Sequence, residues 1–300
     1  MKYSIGIDIG GTKIASGIVN QKGDLIQQEL VDSDSTDRVK LFALVIKCVK
    51  LLMNHSSIPL HEIYSIGAGV PGKIDRKNGV ALFQNNLPWD NFPFIARMQE
   101  AFHIDRITMD NDVYMAGLAE WKEASMRNNE LFVYMTVSTG ISSVMIQGGE
   151  IIRGAGFQGE VGLIPIYALD EANPLQRLES TAAGPALEKR AIERYKDKTM
   201  TSKKVFQAYY NDDPKAAVLI DEIAVSLSQG VYMINSLLDP HKIVFGGSVI
   251  THNPVLLHLI AEKLDRYLID EQKHILKNME LSRLGNEQGI IGAGLSALKL

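Results

Sequence analysis

The stretch Ser4-Ile5-Gly6-Ile7-Asp8-Ile9-Gly10-Gly11-Thr12-Lys13 constrains the fold of this chain more than any other. β-Branched residues alternate at Ile5, Ile7 and Ile9, run into a double glycine, and an apolar pattern resumes through Ile14, Ala15, Ile18 and Val19. The pattern predicts strand, tight turn, strand, that is, a β-hairpin. Alternation puts the three isoleucines on one face, with Gly6 and Asp8 on the other. Asp8 is the one charge inside the first strand, and a carboxylate there is costly unless bonded or met by a cation. Two readings fit. Either Asp8 holds a hydrated Mg²⁺ beside a nucleotide phosphate cradled by the turn amides, or it pairs with a buried lysine or a backbone turn. The spacing is neither that of a Walker A loop nor that of a dinucleotide fingerprint.

The segment Asp8-Ile9-Gly10-Gly11-Thr12-Lys13 resembles the phosphate-1 hairpin of the sugar kinase/hsp70/actin superfamily, in the variant of the ROK family of sugar kinases and repressors. The resemblance implies Mg²⁺ held by Asp8 through water, and ATP phosphates against Gly10, Gly11, Thr12 and Lys13.

Three hundred residues fit two domains of ordinary size. A 46% hydrophobic and 22% charged composition is that of a water-facing globular chain. Uninterrupted apolar runs fall well short of the ~20 residues of a membrane span. No signal peptide is evident ahead of the first strand, and a cytoplasmic location is expected. The net charge of −4, with both signs interspersed, does not favour a nucleic-acid surface. The single cysteine, Cys48, excludes an internal disulfide and a cysteine-rich zinc site, and it lies in the apolar pattern of residues 41–51.

Leu25–Val31 is expected as a third strand and 36–54 as a helix with Arg38, Lys40, Lys47 and Lys50 outward. Tyr64–Val70 reads as a strand that ends at the turn Pro71-Gly72. The loop Gln84-Asn85-Asn86-Leu87-Pro88-Trp89 offers amides suited to sugar hydroxyls and an indole that either covers a pyranose face or anchors the loop. In Asp110-Asn111-Asp112 a short strand gives way at once to a helix capped by Asn111 or Asp112. A carboxylate at such a junction is either an ordinary cap or a general base. A second strand–turn–strand, Leu131–Ile146, places Thr139-Gly140 in its turn, which suggests an internal duplication. Residues 184–238 read as mostly helical, with a break at 210–214 and a central helix over Ile223–Leu238. His241–Ser248 is a strand into Gly246-Gly247, and Gly289–Ala297 is a helix of small residues.

These later segments extend the resemblance over nearly the whole chain. It implies Asp112 as the catalytic base and Asn86, Asn111, Glu160 and Glu179 as sugar ligands. Thr139 and Gly140 become the phosphate-2 turn, and Gly246 and Gly247 the adenosine turn. The implied fold is α/β: two ribonuclease-H-like (actin-like ATPase) domains with a nucleotide/sugar cleft between them. The expected division is 1–115 and 116–288, with helix 289–300 completing the first domain.

One segment departs from the family pattern. Gly159-Glu160-Val161-Gly162-Leu163 keeps the glutamate, but Leu163 stands where most members have histidine, and 170–178 holds none of the family's zinc-binding cysteines. No structural zinc site is expected. Within the family, zinc-free members resembling β-glucoside kinases fit this pattern, which implies transfer of the ATP γ-phosphoryl group to the 6-hydroxyl of an acceptor such as cellobiose. Glucose, fructose and N-acetylmannosamine are the alternative acceptors, and the resemblance to ROK kinases implies a homodimer. A ROK repressor would need a DNA-binding segment ahead of residue 3, and a non-catalytic sugar sensor would need neither Asp8 nor Asp112.

Overall fold

The computed structural model describes residues 1–84, 86–168 and 173–299. Contacts divide the chain into two units, Met1–Ser125 with Ile151–Gln158 and Asn286–Leu300, and Met126–Glu150 with Gly159–Gly285.

The first unit opens with β1 (Tyr3–Ile9), β2 (Lys13–Asn20) and β3 (Leu25–Asp32), an antiparallel meander. Helix α1 (Arg38–His55) follows, started by Asp37, whose carboxylate accepts from Val39 N and Lys40 N. It buries Leu41, Val45, Cys48, Val49 and Leu52, the 3.6-residue stripe read from sequence, so Cys48 is a core residue. Then come β4 (Ile63–Val70), the small hairpin β5 (Lys73–Asp75) and β6 (Val80–Phe83), α2 (Phe94–Phe102), β7 (Ile107–Asn111) and α3 (Asp112–Glu123). The main sheet has the order β3-β2-β1-β4-β7, with β1, β4 and β7 parallel. The expected boundary at 115/116 falls inside α3, which belongs to the first unit to its end.

The C-terminal helix (Gln288–Leu298) packs on this sheet through glycines. A Cβ at Gly6 would stand 1.9 Å from Ile290 O, and one at Gly67 1.9 Å from Ala293 O. Backbone meets backbone there, and no side chain fits.

The second unit repeats the plan. Its strands β8 (Leu131–Val137), β9 (Ile141–Gln147) and β10 (Glu150–Ile151) form another antiparallel meander. After β11 (Pro165–Tyr167) and β12 (Leu175–Arg177) come α4 (Leu178–Ala182), α5 (Gly184–Tyr195), α6 (Ser202–Tyr209) and α7 (Pro214–Leu238). Strand β13 (Lys242–Gly246), α8 (Ser248–Thr251), α9 (Val255–Asp265) and β14 (Met279–Leu281) complete it. The sheet order is β10-β9-β8-β13-β14, with β8, β13 and β14 parallel. Two antiparallel neighbours followed by parallel strands occur in both sheets, as a duplication requires.

Helix α7 begins nine residues before the expected Ile223. Asp213 caps it by accepting from Lys215 N and Ala216 N, and Pro214 takes the first turn, where its missing N–H is harmless. With this extension α7 is long and apolar enough to cross a membrane by length and composition. Its acidic pair is nonetheless matched by neighbours inside the unit: Glu222 binds Arg190 and Arg194, and Asp221 binds Lys263. Much of its surface is the core of the second unit.

Candidate functional site

In the first unit the predicted residues gather at the C-terminal ends of β1, β4 and β7. Asp8 lies opposite Gly69 of β4, and Gly69 lies opposite Asp110 of β7. The chain then turns directly into α3. Asn111 is its cap, with Oδ1 accepting from Val113 N at 3.0 Å and Tyr114 N at 3.4 Å, so Asp112 becomes the first helical residue. Gly69 leaves room for it, since a Cβ there would be 3.3 Å from Asp112 Cα.

Asp8 and Asp112 are partly buried, and the charge of Asp112 acts on Asp8. Burial, with the charge of Asp112 added, pushes the Asp8 carboxyl up to about 7. Burial also raises Asp112, against the helix-start amides that favour its ionised form. Among the described residues no cation pairs with either, so Asp8 is not the lysine partner that the simpler sequence reading allowed. A carboxylate pair that resists ionisation, next to a glycine turn, is a donor set that fits a hydrated divalent cation. The room is made by Gly289 of the C-terminal helix, where a Cβ would stand 2.5 Å from Asp8 Oδ2.

The hairpin turn closes with Gly10 N donating to Lys13 O at 2.9 Å, leaving Thr12 and Lys13 exposed. Asn86 lies against it, since a Cβ on Gly11 would be 3.4 Å from Asn86 O and 3.7 Å from its Nδ2. Asn111 donates through Nδ2 to Gly72 O at 3.2 Å. Asn85 is outside the described residues, as are Asp170–Ala172 of the segment lacking the zinc-binding cysteines.

Trp89 is no sugar platform. It is 1% exposed, stacked on Phe92 at 4.8 Å between ring centroids, and its Nε1 donates to Arg38 O. The loop needed an anchor, and its largest apolar residue took that place.

In the second unit Thr139 and Gly140 form the β8–β9 turn, with Ser138 N donating to Gly140 O at 2.9 Å. Glu179, in the first turn of α4, accepts from Ile141 N at 2.9 Å through Oε2. A Cβ on Gly140 would be 2.6 Å from that oxygen, and one on Gly162 3.2 Å. The turn, Glu179 and the Gly159–Gly162 segment with Glu160 are therefore one group. Leu163 is 47% exposed. Ser248 after the Gly246-Gly247 turn reaches Ser138, with 3.3 Å between hydroxyl oxygens. Both glycines are also demanded from inside: a Cβ on Gly246 would be 2.0 Å from Tyr134 Oη, and Gly247 has φ +86°.

Sequence reasoning passed over the partners of Asp110. This buried carboxylate binds Arg76 Nε at 3.0 Å and both terminal nitrogens of Arg153, and it accepts from Asn111 N at 2.8 Å. Arg153 comes from the segment 151–158, which is tied to α3 again by Tyr114 Oη donating to Gln158 O at 2.6 Å. The signal was a lone arginine in a glycine-rich stretch, and sequence spacing does not connect it to Asp110.

Comparison with known proteins bears on these two groups. The sequence profile of the ROK family matches residues 4–299. The chain belongs to the ROK family. It is 26% identical to the glucokinase of Halalkalibacterium halodurans over 98% of this chain and 94% of that one. It is likewise 26% identical to the N-acetylmannosamine kinase of Haemophilus influenzae, over 96% and 93% of the two chains. The ROK hexokinase structure from Thermus thermophilus superposes with a TM-score of 0.82 at 28% identity, covering 99% and 98% of the two chains. The fold of this ROK protein is thus the actin-like ATPase fold that the two repeated sheets indicate.

Proposed function

We propose that the chain is an ATP-dependent sugar kinase that moves the γ-phosphoryl group of ATP to a primary 6-hydroxyl. The observation that carries this reading is the pair Asp8 and Asp112: both stand beside Gly69 at the strand ends, next to a glycine turn, and among the described residues no protein cation pairs with either. Asp112 takes the proton of the attacking hydroxyl. Burial raises its proton affinity, which is what a base for an alcohol requires. Asn86, Asn111, Glu160 and Glu179 orient the sugar. Glu179 has Oε2 fixed by Ile141 N, which leaves Oε1 for a hydroxyl. Backbone amides of Gly10–Lys13 and of Thr139-Gly140 hold the phosphates, and Gly246-Gly247 lies under the adenosine. Asp8 would hold Mg²⁺ through water, and the ion when bound offsets the phosphate charge. On the same resemblance we assign a cytoplasmic homodimer.

For the acceptor we favour a β-glucoside such as cellobiose, on the apolar, half-exposed Leu163 at the position of the family's histidine. Glucose is the second reading, favoured by the named glucokinase relative. A coupled ADP-release assay with Mg²⁺–ATP against cellobiose, glucose, fructose and N-acetylmannosamine tests both. Turnover on one sugar that Asp112→Asn lowers by about 10²–10⁴-fold, with sugar binding retained, is the expected result. Sugar binding by calorimetry without turnover on any of the four would favour a non-catalytic sensor instead.

A further inference from the structure

Gln84 follows β6 and stands two residues before Asn86. It is 7% exposed, and neither its Nε2 nor its Oε1 has a hydrogen-bond partner among the described residues. Leaving a buried amide unpaired is costly, so the position calls for a partner. Its surroundings suggest which one. A Cβ on Gly72 would be 2.8 Å from Gln84 Oε1, and the carbonyl of that same glycine accepts from Asn111 Nδ2 at 3.2 Å. Gln84 therefore lies one glycine away from Asn111 and close in chain to Asn86, both assigned above to the sugar. Asn111 has little capacity left, because Oδ1 is taken by the α3 cap and one Nδ2 hydrogen by Gly72 O. Gln84 retains a full donor–acceptor pair.

We propose that Gln84 is an additional acceptor-binding residue, whose carboxamide donates to and accepts from ring hydroxyls of a neutral sugar and selects among acceptors. The proposal rests on the sugar-kinase reading. A hydroxyl matches the amide because it both gives and takes a hydrogen bond. A site built on such a bond discriminates against analogues that lack the hydroxyl. The competing occupant is an ordinary buried water, which would satisfy the amide without touching the sugar.

The test is Gln84→Met, of similar length and without polar ends, with Gln84→Glu beside it, which keeps an acceptor and removes the donor. Melting temperatures of both are recorded to confirm folding. Each is assayed on the sugar the wild type turns over best and on its set of monodeoxy analogues. The expected result is a fall of about 10–100-fold in kcat/KM for Gln84→Met, carried mostly by the sugar KM. The KM for ATP stays put. One deoxy analogue is then handled equally by wild type and variant, because the hydroxyl that met Gln84 is already gone. A deoxy profile that is the same in wild type and Gln84→Met overturns the proposal and leaves the amide to water. Should the wild type phosphorylate no sugar, the kinase reading falls by itself. Calorimetry on the same sugars then decides Gln84: weaker binding to Gln84→Met upholds it, and equal binding overturns it.

Discussion

At the scale of single residues, Asp8 stores free energy against its own site. Its carboxyl is raised to about 7 from an ordinary value of 3.8, so the folded state binds its proton more tightly than the unfolded chain does. The sign follows: its contribution to stability is fully present below about pH 4 and is lost as pH rises through 7. At pH 7.5 and without Mg²⁺ the ionised pair opposes folding. Asp8→Asn should then be more stable than the wild type by about 2 kcal/mol, a value set below the full shift because the group is partly exposed. At about pH 3.5, below the ordinary carboxylate value, the difference should shrink toward zero. Thermal melts of both proteins in chelator at the two pH values check this, and a stability gap that does not change with pH would refute it. The importance of Asp8 was legible in the sequence, as the one charge in an apolar strand. Its lack of a cation partner among the described residues was not, because that depends on which residues the fold brings near it.

At the scale of elements, the junction of β7 and α3 is held by contacts that cross the chain. Asp110 fixes the backbone N–H of Asn111, Asn111 caps the helix, and Asp112 follows. Arg153 grips Asp110 at both oxygens with a side chain 33% exposed, whereas Arg76 makes one contact and is 51% exposed. Arg153→Ala should therefore cost about 1–3 kcal/mol, less than a complete break of a buried pair because Arg76 remains. Arg76→Ala should cost less than that. Urea unfolding of the two variants compares them directly, and an equal or reversed order would mean that segment 151–158 is not held by this pair. Strand–helix succession and the cap were legible here, since Asn at a strand end before a helical stripe is a local signal. The grip on Asp110 was not, as its partners lie 34 and 43 residues away along the chain.

At the scale of the molecule, the first unit is built from three separated stretches, and the last of them is the C-terminal helix. Its close seat on Gly6 and Gly67 predicts that a chain ending at Gly285 loses the cover of its first sheet. Calorimetry of that shortened protein should lack the transition of the first unit while keeping one for the second, whose core is its own. Retention of both transitions would show the helix to be dispensable. The duplicated plan, the two glycine-turn hairpins and most helix positions were written in the sequence, because hydrophobic period, turn residues and caps act over a few residues. What only the tertiary structure decided is partnership. Trp89 is spent on Phe92 and Arg38 rather than offered to a sugar, Gly289 makes space for Asp8, Arg153 finds Asp110, and the Gln84 amide is left without a partner among the described residues. Each depends on groups far apart in the chain meeting in a buried place, where a polar atom's worth is set by its neighbours rather than by its type.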